Sequence, residues 1–212
     1  GIPVAPGALP HYDGQYLRDG YYGISHGWSL VNASMQQSFR DSVSWMFHHA
    51  RDDGIFPLSC HINGRCYIAE NCDGSVHPTD TGCQDLDSAP FATLTAYHIW
   101  RSCASTSQRN TWYDQWGQLL DKSLNATTKM PGTTAVWSNA SRPMVGYGFQ
   151  DNEVKSGIVL FSNVLYWNAS LGLAEMATQR GDHSMSQRLV ANAASLRAYV
   201  SKQLWNEQTG VI

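Results

Sequence analysis

Apolar residues recur at three-to-four spacing along most of the chain, and polar stretches containing Gly and Pro separate the runs. That period marks amphipathic helices. Val31, Met35, Phe39, Val43, Met46 and Phe47 predict a helix from Val31 to Arg51, ended by Asp53-Gly54. Met185, Leu189, Ala193, Leu196, Val200 and Leu204 form one stripe of a helix from His183 to Trp205. A shorter helix is expected to start at Arg18-Asp19 and to carry Tyr21, Tyr22 and Ile24, with Gly23 and Gly27 weakening it. Asp87-Ser88-Ala89-Pro90 opens another, since Asp or Ser can cap and Pro is tolerated in a first turn. Phe91, Leu94, Thr95, His98 and Ile99 continue it. Trp112, Trp116, Leu119 and Leu120 place a helix over Thr111 to Leu124.

The helix expected from Asn152 to Gln179 is apolar on almost every side, and Gly181-Asp182 breaks it. A helix that is apolar all round is buried, whereas a single stripe leaves the far face in water. This helix therefore reads as inner and the one from His183 as outer. No segment reads as a strand. An inner helix paired in sequence with an outer one predicts an all-α fold, either a two-layer helical ring or a bundle of hairpins. The long loop from Asn125 to Gln150 is of the kind that is usually functional or mobile.

Composition narrows the picture. With 42% hydrophobic residues in 212, the chain can build a core, and without a linker or low-complexity run it reads as one unit, residues 1–212. A net charge of −3 gives no attraction to nucleic acid or an acidic membrane. No apolar run approaches the ~18–20 residues of a membrane span. The 11% aromatic content serves core packing first, and an aromatic-lined cleft second. Neither end reads as a natural boundary: Gly1 to Pro10 has no initiator Met and no signal peptide, and a turn at Thr209-Gly210 leads towards a further element. A piece of a longer or processed protein is expected.

Five cysteines, Cys60, Cys66, Cys72, Cys83 and Cys103, are candidates for disulfides, with one left over. The loop-like stretch from Cys60 to Cys83 would gain most from cross-links, which fits a secreted or lumenal chain. A zinc site with His61 or His77 is the rival, but the cysteine spacings are wider than the C-x(2–4)-C of common zinc sites. His48-His49 reads as a solvated pair at a helix end. Among the N-x-S/T sequons, Asn125 and Asn139 lie in the long polar loop and are the candidate glycosylation sites, whereas Asn168 is expected to be buried. Asn32 heads the remaining one.

Three acidic segments stand where helices are expected to begin: Arg18-Asp19-Gly20, Gln84-Asp85-Leu86-Asp87 and Gln150-Asp151-Asn152-Glu153. Each is also a reasonable cap. If inner and outer helices alternate around a ring, the starts of the inner ones share a rim and the acids converge. Glycosidic bond cleavage needs such a set: one carboxylic acid protonates the leaving oxygen, and a second carboxylate activates water or attacks the sugar. No P-loop, G-x-G-x-x-G, H-E-x-x-H or G-x-S-x-G motif offers a competing chemistry.

Leu17-Arg18-Asp19, the run Gln84-Asp85-Leu86-Asp87-Ser88-Ala89-Pro90-Phe91, and Gly146-Tyr147 with Phe149, Asp151, Glu153 and Val154 together resemble the glucoamylase family. More broadly the chain is similar to the six-hairpin (α/α)6 glycoside hydrolases, which include trehalases and processing α-glucosidases. The resemblance implies a cofactor-free, metal-free glycosidase acting on an oligosaccharide. Arg18 and Asp19 would grip a terminal sugar. Gln84 and Asp87 fall in the second segment, with Asp87 as a cap, and Tyr147 would bind substrate. Asp151 or Glu153 would be the general acid, with Asp151 favoured and Glu153 left to cap or bind. The family's Trp-Glu-Glu is replaced here by Gln150-Asp151-Asn152-Glu153, one residue longer before the Val.

In such families the base comes from near the end of a twelve-helix toroid. The helices predicted here make about half of that ring, which implies a fragment inactive alone, with apolar surface where the remainder of its domain packs. The alternative is a non-catalytic carbohydrate-binding or degenerate helical-toroid protein. A metal-binding helical protein using the cysteines with His48, His49, His61 and His77 is a further alternative.

Overall fold

The computed structural model describes residues 14–61, 64–67, 85–138, 155–204 and 207–209. Helices dominate these residues: α1 (Leu17–Gly27, then a 3-10 turn at Trp28–Leu30), α2 (Ala33–Phe47), α3 (Ser88–Arg101), α4 (Thr106–Ala126), α5 (Leu160–Arg180) and α6 (His183–Leu204). Local chemistry fixes several ends. The Asn32 side chain accepts from the Met35 N–H at 3.0 Å and starts α2. Ser105 accepts from the Gln108 N–H at 3.2 Å and starts α4. Gly181, at φ 90°, takes the left-handed turn that closes α5. Asp182 then accepts from the Met185 N–H at 3.1 Å, at the start of α6.

The helices lie in two layers. α1 packs on α3 and α3 on α5. The Tyr21 and Phe91 rings are 5.3 Å apart, and Phe91 and Phe161 are 6.4 Å apart, so the first turns of α1, α3 and α5 share one end. In the other layer Phe47 of α2 meets Trp116 of α4 edge-on at 5.2 Å, and Arg188 of α6 bonds Asp121 of α4 at 2.7 Å. Successive helices form antiparallel hairpins. The Trp112 indole donates to the Ala96 carbonyl at 3.1 Å across α3 and α4, and Thr178 meets Ser186 at 2.6 Å across α5 and α6.

The most enclosed helix is α3, buried continuously from Ser88 to Ala96. α5 is less enclosed than its all-round apolarity predicts: it buries one broad face, but Val164 is 50% exposed. Asn168 is likewise exposed, against expectation, because it faces away from the buried Ala169 and Ser170 beside it. Gly172 allows Tyr97 of α3 to lie close, since a Cβ there would stand 3.1 Å from the Tyr97 ring. The α6 stripe of Met185, Leu189, Ala193, Leu196 and Val200 is buried as predicted.

Three features depart from the sequence reading. A small antiparallel sheet exists, with β1 (Gly14–Tyr16), β2 (Ser59–His61) and β3 (Cys66–Tyr67) in the order β1-β2-β3. Its strands are too short to show an alternating pattern. Pairing Gln15 with Cys60, and bonding the Leu17 N–H to the Leu58 carbonyl at 3.2 Å, the sheet sets where α1 starts. Second, α4 begins before Thr111, because Thr106 to Asn110 are polar and leave no apolar signal. Third, α5 begins at Leu160 rather than Asn152. The residues just before it form an isolated antiparallel bridge: Ser138 and Gly157 exchange N–H···O bonds of 3.0 and 2.7 Å. The buried Asn163 holds this connection by bonding both the N–H and the carbonyl of Val136, at 2.8 and 2.9 Å. Among the described residues, no helix is long and apolar enough to cross a membrane.

Candidate functional site

The sheet and the α1/α3 contact bring two of the three acidic segments together. Arg18 and Asp19 lie in the first turn of α1, and Asp85 and Asp87 lead into α3. An Arg18 guanidinium nitrogen sits 3.8 Å from an Asp87 carboxylate oxygen, with the Arg18 side chain 14% and the Asp87 side chain 1% exposed. Asp85 is as well buried, while Asp19 faces solvent.

The roles of the two buried acids differ from the sequence reading. Asp87 occupies the N-cap position but its side chain bonds no helix N–H. Asp85 does the local work: one carboxyl oxygen accepts from the Asp87 N–H at 3.1 Å and the other from the Ser88 hydroxyl at 3.1 Å. The Asp87 carboxylate faces Arg18 instead. Asp85 is the site residue that sequence reasoning passed over. The available signal was an Asp two residues before the cap and three before a Ser, the spacing of a side chain that folds back on the backbone.

Burial holds the Asp85 carboxyl well above the usual carboxylate range. The negative charge of Asp87 and a side-chain hydrogen bond between the two acids add to the rise, and Arg18 opposes it. The Arg18 guanidinium beside the two carboxyls offsets part of the cost of burying them. Around it stand Tyr22, whose hydroxyl is pushed up by burial, then by Tyr21 and Asp87, and Tyr21, pushed up by burial. Both rings lie on Phe91, and Tyr22 stacks on His26 at 6.3 Å. The arrangement offers two carboxyls, one of them with a raised pKa, a guanidinium and two phenols at one end of the inner layer.

The remaining candidates fall elsewhere. Gln84, Tyr147, Asp151, Glu153, Asn139, Cys72, Cys83 and His77 lie outside the described residues. The helix that the Asp151–Glu153 segment was expected to start begins at Leu160, with Val159 at its N-cap position. Asn125 is exposed but belongs to the last turn of α4 rather than a loop, where it bonds Asp121 at 3.2 Å. Cys60 and Cys66 form a disulfide across β2 and β3. Cys103 is a buried free thiol that donates to the Ile99 carbonyl at 3.4 Å.

His48 is exposed against the edge of Trp116, whereas His49 is not a solvated partner to it: His49 packs on Trp45. Of the described residues, His49, Cys60 and Cys66 are grouped as metal ligands would be; of the histidines weighed with the cysteines from sequence, His49 is the one in this group. A further opening lies between α5 and α6, a groove of about 410 Å³ lined by Leu160, Val164, Trp167, Leu196, Arg197 and Val200.

No family model matches the chain, and no curated protein matches it significantly.

Proposed function

We propose that the chain is a module of a six-hairpin (α/α)6 glycoside hydrolase, secreted or lumenal, that holds an oligosaccharide at the shared N-terminal end of α1, α3 and α5. One observation carries the reading: Arg18 and the buried Asp85–Asp87 pair meet there beside Tyr21 and Tyr22. Sugars are recognised by charged and amide groups that bond hydroxyls and by rings that stack on a sugar face. The parallel inner helices and antiparallel hairpins support a ring in which each hairpin packs on the next. In such a ring the α5–α6 groove takes the following hairpin, just as α3 and α4 receive α5. Arg18 and Asp19 grip the terminal sugar, and Asp151, with Glu153 as its neighbour, is the proton donor. The cross-strand disulfide suits an oxidising compartment.

A non-catalytic carbohydrate-binding protein on the same scaffold is the second reading. The depth of Asp85 and Asp87 favours it, since side chains this enclosed reach a ligand only through Arg18 and Tyr22.

Calorimetric titration of the chain with a panel of α- and β-linked oligosaccharides tests both. Binding of at least one member, weakened tenfold or more by Asp19→Ala, is expected. Hydrolysis of the bound sugar that Asp151→Asn abolishes separates the enzyme from the binding protein. Absence of binding across the panel, or unchanged affinity in Asp19→Ala, would reject the proposal.

A further inference from the structure

The geometry points to a redox-gated site for a soft divalent metal ion, built from Cys60, Cys66 and His49. Cys60 and Cys66 are directly paired across β2 and β3, so their side chains leave the same face of the sheet. His49, just past the end of α2, meets them there, and one ligand atom from each of the three lies within 4.8 Å of the others. In a tetrahedral zinc site, bonds of about 2.3 Å to sulfur and 2.0 Å to nitrogen put neighbouring donor atoms about 3.5–3.8 Å apart. Small side-chain rotations therefore bring the group to that spacing once the two sulfurs part.

The histidine is prepared for the role. Its Nδ1–H donates to the Trp45 carbonyl at 2.8 Å, and its ring lies against Trp45 with centroids 4.6 Å apart. That bond fixes the tautomer, leaving Nε2 as the lone-pair donor. A ligand histidine characteristically gives its other ring N–H to a carbonyl or carboxylate. Cys60 is 1% exposed and Cys66 and His49 are half-buried, so the site has a dry floor and an open side for a water as fourth ligand. Two thiolates and an imidazole are the donors that zinc prefers over magnesium or calcium.

With the disulfide intact, the sulfurs are occupied with each other and the site is closed. A dithiol reductant opens it by exchange: its two thiols become a disulfide as Cys60–Cys66 gains two electrons and two protons. Zinc then binds as both thiols release those protons. The inference is independent of the carbohydrate reading, because α2 and the sheet carry it and the Arg18–Asp87 cluster does not.

The test is titration of the reduced chain with Co2+ and Zn2+, following thiolate-to-cobalt absorption and bound metal, with the oxidised chain alongside. One equivalent bound at least 100-fold more tightly after reduction is expected, with a tetrahedral cobalt spectrum. His49→Ala should weaken binding tenfold or more, and Cys60→Ser/Cys66→Ser should abolish that equivalent while the other cysteines remain. Circular dichroism of each variant checks the fold, and His49→Cys, which keeps a soft ligand, should restore binding if His49→Ala lowers helicity. Equal binding by the double serine variant, equal binding before and after reduction, or no binding by the folded reduced chain would each overturn the inference.

Discussion

Replacing Arg18 with Met removes a charge while keeping much of the side-chain bulk. The guanidinium faces Asp87 at 3.8 Å, and Asp87 is 1% exposed. At an effective dielectric of about 20, that separation corresponds to about 4 kcal/mol of attraction. A carboxylate that loses its cation can instead take a proton, and this caps the damage. Protonating a carboxyl of ordinary pKa ~3.9 costs about 4 kcal/mol at pH 7 but only about 1.5 kcal/mol at pH 5. Water reaches part of Arg18 and screens the pair. We therefore expect Arg18→Met to cost about 2–3 kcal/mol at pH 7 and about 1 kcal/mol at pH 5.

Urea unfolding followed by circular dichroism at the two pH values measures both numbers. A double-mutant cycle with Asp87→Asn isolates the pair, since the second substitution should recover most of the loss at pH 7. A cost that is the same at both pH values, or below about 0.5 kcal/mol at pH 7, would refute the claim that Arg18 compensates a buried charge.

Two other substitutions probe different parts of the same argument. The Asp85 carboxyl is raised, so the folded state keeps a proton that the unfolded chain releases above about pH 3.9; the resulting stability is complete below that value and is lost as pH rises through the folded one. Asp85→Asn copies the protonated form and should flatten the decline of urea midpoints with rising pH; an unchanged slope would place the proton elsewhere. Gly117→Ala would set a methyl carbon 2.8 Å from the Tyr113 ring, which cannot retreat freely because its hydroxyl is tied to Asp182 at 3.1 Å. Overpacking of about 1–3 kcal/mol then outweighs a helix-propensity gain of about 1 kcal/mol, so thermal unfolding should occur at a lower temperature, and a rise would contradict the packing.

The helices were legible wherever one face carries an apolar stripe. Met185 to Leu204 located α6 to within a residue at its end, and Asp87-Ser88-Ala89-Pro90 marked the start of α3. Legibility failed where tertiary contacts overrode local pattern. Lys155 to Val159 read as helix by composition, yet Ser138 bonds the Gly157 backbone and Asn163 the Val159 carbonyl. The strands were invisible because each is only two or three residues long. Most instructive is the start of α3. Sequence alone pointed to Asp87 as the cap, and the structure gives the local hydrogen bonds to Asp85 instead. Which one bonds the helix and which faces Arg18 depends on where β1 and β2 place α1, and that is long-range information.

The parallel direction of α1, α3 and α5 has a chemical consequence. Each N-terminus carries unpaired N–H groups and the positive end of a helix dipole. Stacked side by side, they make one end of the inner layer favourable for carboxylates, and Asp19, Asp85 and Asp87 are all found there. Burial pulls the other way, and the raised Asp85 carboxyl shows that at this site it prevails for one acid of the pair. With the acids supplied by the chain itself, a phosphate or carboxylate ligand entering here would meet like charge. A neutral polyol would not: its hydroxyls can donate to the exposed Asp19 and accept from Arg18 and Tyr22 without adding charge to the cluster. On the proposed carbohydrate reading, the balance that permits two buried acids beside one arginine favours an uncharged, hydroxyl-rich ligand over an anionic one. In competition experiments, sugar phosphates should therefore bind more weakly than the parent sugars, and the difference should narrow as pH falls and the carboxyls take up protons.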